Sequence, residues 1–148
     1  MSFWEALKIS ASGLTAQRTR LDVISNNIAN AQTTRTAEGG PYKRQDVVFT
    51  SSDSDSFQSK LMSSMNNEND DVNGGVRVSS IITDDSEGSR VYDPTNPDAD
   101  KDGYVLYPNV DLTVEMTNML SATRSYEANL AVVDAVKNMA TKALDIAR

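Results

Sequence analysis

From about Asn109 to Arg148 the apolar residues recur in alternating steps of four and three. The row is Leu112, Met116, Met119, Thr123, Tyr126, Leu130, Val133, Lys137, Ala140, Leu144 and Ala147, and only Thr123 and Lys137 break it. That rhythm predicts one long helix with a coiled-coil-like seam. A second apolar row, Val114, Val132, Val136, Met139, Ala143 and Ile146, lies roughly 120° around the same helix. The polar face that remains, Glu127, Asp134, Asn138, Thr141 and Asp145, is narrow. A helix this apolar needs more than one neighbour, and the rest of the chain is read around it.

The other end of the chain has the same character. Residues 2 to about 30 predict a helix that opens on a capping-box spacing, Ser2 and Glu5. Phe3, Leu7, Ser10, Leu14, Gln17, Leu21, Ile24 and Ile28 keep the four-three rhythm, and Ile9, Ala16 and Val23 form a weaker row opposite. Gly13 within it costs about 1 kcal/mol of helix propensity against alanine. The asparagine-rich run from Ser25 to Thr34 reads as a helix C-terminus, since asparagine tolerates the left-handed cap. Glu38-Gly39-Gly40-Pro41 stops any continuation.

Between the helices the texture changes. Val47-Val48-Phe49, Val76 to Ile82, Arg90-Val91-Tyr92 and Tyr104 to Tyr107 are the strand candidates. Residues 51–75, crowded with Ser, Asp and Asn, read as a mobile loop, with one helical turn around Phe57 to Met65. Pro108-Asn109 starts the last helix, with Asn109 or Asp111 as N-cap. The predicted fold is mainly α. Two long terminal helices, 1–34 and 109–148, pack antiparallel as one coiled-coil-like helical domain. Residues 35–108 form a small β or extended insertion.

Composition removes most chemistry. The chain has no histidine and no cysteine, so imidazole and thiol nucleophiles, general bases and the usual zinc ligands are absent. A net charge of −7 disfavours nucleic acid and anionic membranes as partners. There is no phosphate-cradling glycine loop and no nucleophile elbow. No enzyme activity, small-molecule substrate, metal or cofactor is expected. The N-terminus lacks the pattern of a cleaved secretory signal, so the chain reads as cytoplasmic or as exported without one. Asp98, Asp100, Asp102 and Gly103 match the first half of a calcium loop. The match fails at Asn109, which stands where the bidentate glutamate belongs, and a plain turn is the preferred reading.

The apolar rows exceed what two helices can cover on each other. The expectation is assembly, with both ends largely disordered in the dilute monomer and helical once associated. The candidate interface residues are Leu7, Leu14, Leu21, Ile24 and Ile28 on the first helix. On the second they are Leu112, Met116, Met119, Tyr126, Leu130, Val133 and Leu144. A freestanding coiled-coil adaptor and a calcium-responsive one are the alternatives.

Specific motifs narrow this further. Ile9 to Arg18, followed by Asn26-Asn27-Ile28-Ala29-Asn30, resembles the N-terminal signature of the bacterial flagellar axial proteins of rod, hook and hook-filament junction. Pro41 to Gln45, Val91 to Pro94, Pro97 to Asp100, Gly103 to Val105, Pro108 to Val110 and Glu115 to Asn129 resemble the proximal rod members. Asn26, Asn27, Asn30, Tyr126, Glu127 and Asn129 are the signature positions. Asn96, where the family leads one to expect histidine, and the polar stretch 51–71 depart from the pattern. The resemblance implies a structural subunit of the basal-body rod, with another axial protein of the family as the alternative. It implies export through the flagellar type III apparatus without a cleaved signal peptide, and terminal helices lining an axial core around the export channel. The implied partners are copies of itself, other proximal rod proteins, the distal rod protein, the base (MS) ring and the export gate. The implied location is the rod within the periplasm.

Overall fold

The computed structural model describes residues 3–52 and 74–146. The element order is α1 (Phe3–Ala29), β1 (Gln45–Ser51), β2 (Val76–Thr83), β3 (Arg90–Tyr92), β4 (Tyr104–Leu106) and α2 (Leu112–Ile146). The chain is mainly helical with a small β insertion, as expected. Ser2 of the capping box, and residues 53–73 of the expected mobile loop with its helical turn, lie outside the described residues.

Both helices begin or end where local chemistry dictates. Asp111 caps α2: its Oδ1 accepts from the Thr113 N–H at 2.8 Å and the Val114 N–H at 3.4 Å. That satisfies two donors the first turn leaves orphaned. At the end of α1 the Asn30 side chain folds back, and its Nδ2 donates to the Asn26 carbonyl at 2.9 Å. Thr33 N–H then bonds the Asn30 carbonyl at 3.0 Å and the chain turns away.

The helices run antiparallel. Gly13 of α1 lies against Asn129, and Asn27 bonds Glu115, so residues rising along α1 meet residues falling along α2. The contact is made by small side chains. Ser10, Gly13, Ala16, Val23, Ile24 and Asn27 are buried on α1, and Glu115, Ala122 and Val136 on α2. A Cβ built on Gly13 would lie 3.0 Å from both terminal atoms of Asn129. Backbones come this close only where side chains are short.

β1 and β2 form an antiparallel hairpin, from Gln45 opposite Thr83 to Ser51 opposite Val76, with a bulge between Val48 and Phe49. Two such strands are marginal alone, and this pair leans on α1. Gln45 is held at the helix end by Asn27 at 3.0 Å, and the Val76 N–H donates to Ser12 Oγ at 3.1 Å. β1 therefore runs back along α1. Among the described residues no strand contacts α2. The organising element is accordingly α1, which carries α2 on one side and the hairpin on another. The sequence pointed to α2 because its apolar rows are longer; α1 holds the centre because its inward residues are smaller and admit neighbours on two faces.

β3 and β4 make a second hairpin, Arg90 opposite Leu106 and Tyr92 opposite Tyr104. The Tyr92 and Tyr104 rings meet edge to face at 5.3 Å. Thr34 Oγ1 donates to Asp98 Oδ2 at 2.8 Å, tying this hairpin to the segment after α1.

Candidate assembly surface

The most enclosed polar group is Asn27, with no exposed surface. Its Nδ2 donates to the Gln45 carbonyl at 2.8 Å and to Glu115 Oε2 at 3.1 Å. Its Oδ1 accepts from the Gln45 N–H and from the Tyr42 hydroxyl, each at 3.0 Å. One amide at the end of α1 thus uses its donors and acceptor on the segment before β1, on β1 itself and on α2. Glu115 is 1% exposed, and its other oxygen takes a charge-assisted bond from Arg44 Nε at 2.8 Å. A buried carboxylate is tolerable only when paired this way. Burial, and after it the nearby Glu115 charge, hold the Tyr42 phenol above its ordinary value. Burial works to lower Arg44, but the Glu115 carboxylate and Asp46 outweigh it and keep the guanidinium firmly charged.

The interface residues expected from sequence divide into two sets. Ile24 is buried, and Leu7, Leu14, Leu21, Ile28, Met119, Tyr126 and Val133 are half-buried. Leu112, Met116, Leu130 and Leu144 are exposed, Met116 by 63% and Leu144 by 72%. The row of α2 that turns toward α1 is Glu115, Met119, Ala122, Tyr126, Asn129, Val133, Val136 and Ala140. It keeps the four-three steps but includes a glutamate and an asparagine, and of the five leucines and methionines of the expected row only Met119 belongs to it. The displaced large residues, with Leu120, form an outward row on one flank of the inward face, and the exposed Val114, Val132, Met139 and Ile146 form another on its other flank.

Of the signature positions, Asn27 sits at the centre of the polar knot. Asn129 packs beneath Gly13 and donates to the Ser125 carbonyl at 2.9 Å. Asn26 and Asn30 shape the helix end, Tyr126 is half-buried and Glu127 exposed. Sequence reasoning passed over Glu115, Arg44 and Tyr42 as partners. The signal was a glutamate one step from an apolar row and a basic pair after a proline, neither specific without its counterpart. In the acidic turn Asp98 is occupied by Thr34 and by Arg35 at 3.6 Å, which gives it a structural use.

Comparison with known proteins follows these features closely. Residues 7–35 match the family model described as flagella basal body rod protein. Residues 101–146 match that described as flagellar basal body rod FlgEFG protein C-terminal. The chain is 48% identical to the flagellar basal-body rod protein FlgC of Bacillus subtilis (strain 168), over the whole of both chains. It is 44% identical to FlgC of Borreliella burgdorferi, covering 99% of this chain and 98% of that one. For FlgC of Salmonella typhimurium the identity is 38%, again with 99% and 98% covered. A chain so similar from end to end to these rod proteins belongs to the FlgC family, a family of structural subunits of the flagellar basal-body rod.

Proposed function

We propose that this rod subunit is built into the proximal rod through its terminal helices, with 1–34 and 109–148 forming the axial core and 35–108 facing outward. The observation that carries this is the outward apolar row on α2. Leu112, Met116, Leu130 and Leu144 stay exposed within the described chain, by 42% to 72%, while α1 is already occupied on two sides. Apolar surface on that scale is covered by association, at roughly 25 cal/mol per Å² removed from water. The four-three steps of the inward row support a coiled-coil-like reading of the helix pair itself.

That row is covered by copies of this chain or kindred axial subunits, and the subunit's partners are the other proximal rod proteins, the distal rod protein, the base ring and the export gate. The resulting shaft crosses the periplasm, transmits torque and surrounds the export channel. The subunit reaches it through the flagellar type III apparatus with no cleaved signal. Stiff lateral contacts are what torque requires, and long helices packed on several sides provide them. Replacing Leu130 with Asp tests the reading. Rod assembly and swimming are lost while the protein is still made; normal motility in that strain refutes the assignment of the row.

A further inference from the structure

α2 carries a greasier face than the one it presses on α1. Its inward side includes Glu115, Ala122 and Asn129. Leu112, Met116, Leu130 and Leu144 stand exposed roughly 70° around the same helix. Burying that second set would remove more apolar surface from water. The small residues on α1 allow a close approach but do not decide which row of α2 makes it. A glycine at position 13 admits a leucine as readily as the asparagine now beside it. A specific contact must hold the poorer face in place.

Glu115 is the group that cannot be turned. It is 1% exposed, and both carboxylate oxygens are engaged: Oε2 accepts from Asn27 Nδ2 at 3.1 Å and Oε1 from Arg44 Nε at 2.8 Å. Both donors lie off α2, one on α1 and one on the segment before β1. Turning α2 about its axis breaks both bonds together and leaves the wholly buried Asn27 a donor short. Breaking a buried ion pair is costly even where the pair adds little net stability, which suits such groups to fixing register. We propose that Glu115 is a positioning residue that sets the rotation of α2, keeping its leucines outward for a neighbouring subunit. The rotation is a property of one chain; the use made of the outward row rests on the reading of this chain as an assembling rod subunit.

Disulfide trapping tests it, and the chain has no cysteine of its own to interfere. Gly13→Cys with Asn129→Cys reports the present face, since a Cβ at 13 lies 3.1 Å from Asn129 Cγ. Gly13→Cys with Leu130→Cys and Asn129→Ala reports the turned one. With Glu115 in place, the 13–129 pair oxidises about tenfold faster than the 13–130 pair. Glu115→Ala removes the constraint, and Arg44→Ala leaves a buried carboxylate that gains by turning toward water; each reverses the order. Tyr42→Phe removes a bond to Asn27 and none to α2, and leaves the order unchanged. The rates are read where circular dichroism shows the helices formed. Mixing with isotopically heavy chain separates links within a chain from links between chains. An unchanged order in both Glu115→Ala and Arg44→Ala overturns the proposal. Loss of the helices in both also overturns it, because Glu115 then supports the fold without selecting its face. So does a reversal in Tyr42→Phe. None of these results touches the rod reading, which fails separately if the Leu130→Asp strain swims normally.

Discussion

The Asn27 amide donates to Glu115 Oε2 at 3.1 Å, joining two helices across 88 residues of sequence. The bond closes only when both ends of the chain are in place, because Gln45, Tyr42 and Arg44 complete it from the intervening segment. Asn27→Ala leaves Gln45, Tyr42 and Glu115 each short of a partner in a buried site. Unmet buried groups cost about 1–3 kcal/mol each, so a loss near 3 kcal/mol is expected, read as a lower denaturant midpoint. Arg44→Ala should cost about as much, since it strands the buried Glu115 charge. A loss below half a kcal/mol in both would show that the knot is not what holds the ends together.

Tyr42 gives the knot an alkaline limit. Its phenol is held above the ordinary 10.0 by burial and then by Glu115. The folded chain therefore grips that proton more tightly than the unfolded chain. The contribution is whole below about pH 10 and is lost as pH rises through the folded value. Thermal melts above pH 10 should fall more steeply for the natural chain than for Tyr42→Phe. Parallel decline in the two would remove Tyr42 as the cause.

Gly88 is fixed by the backbone of a neighbouring strand end. A Cβ there would collide with the Tyr107 carbonyl oxygen and lie 2.7 Å from the Pro108 carbonyl carbon. Tyr107 N–H bonds the Ser89 carbonyl at 2.9 Å, so the two segments cannot part without breaking that bond. Gly88→Ala should lower stability by about 2 kcal/mol and speed amide exchange at Tyr107 before any at α1.

Gly13 sets the spacing of the helix pair. Alanine there gains about 1 kcal/mol of helix propensity but must move the Asn129 side chain, which is anchored to Ser125. Valine adds bulk that the contact cannot absorb. Gly13→Ala should be close to neutral in stability and Gly13→Val destabilising by about 1–3 kcal/mol, measured by chemical denaturation. Equal behaviour of the two would contradict a close approach at this site.

Helix content should rise with protein concentration. The outward row on α2 is wet in a lone copy, and the terminal helices gain their cover by association. Circular dichroism across a dilution series checks this. A dilute monomer that is fully helical and melts cooperatively would refute it.

Both helices and all four strands could be read from local pattern. The 3.6-residue rhythm, Gly39-Gly40-Pro41 and the β-branched runs at Val47 and Val76 act over a few residues, and their effects stay local. Which face of each helix turns inward was less legible. Ranking residues by hydrophobicity favoured Leu112, Met116 and Leu130, whereas close packing favoured Gly13, Ala16 and Ala122. The knot was illegible for another reason. Asn27, Arg44 and Glu115 are each ordinary surface residue types, and only the fold brings them to one point.

Among the described residues no strand rests on α2, and apart from the Arg44–Glu115 pair and the Asn109–Asp84 bond at one end, α1 is what joins the hairpin to the outer helix. Away from that end, a twist applied to the hairpin passes through α1, as shear where Gly13 meets Asn129 of the outer helix. The thinnest side chains in the molecule thus sit where sliding is resisted most, and α1 behaves as a torsion bar clamped along its length.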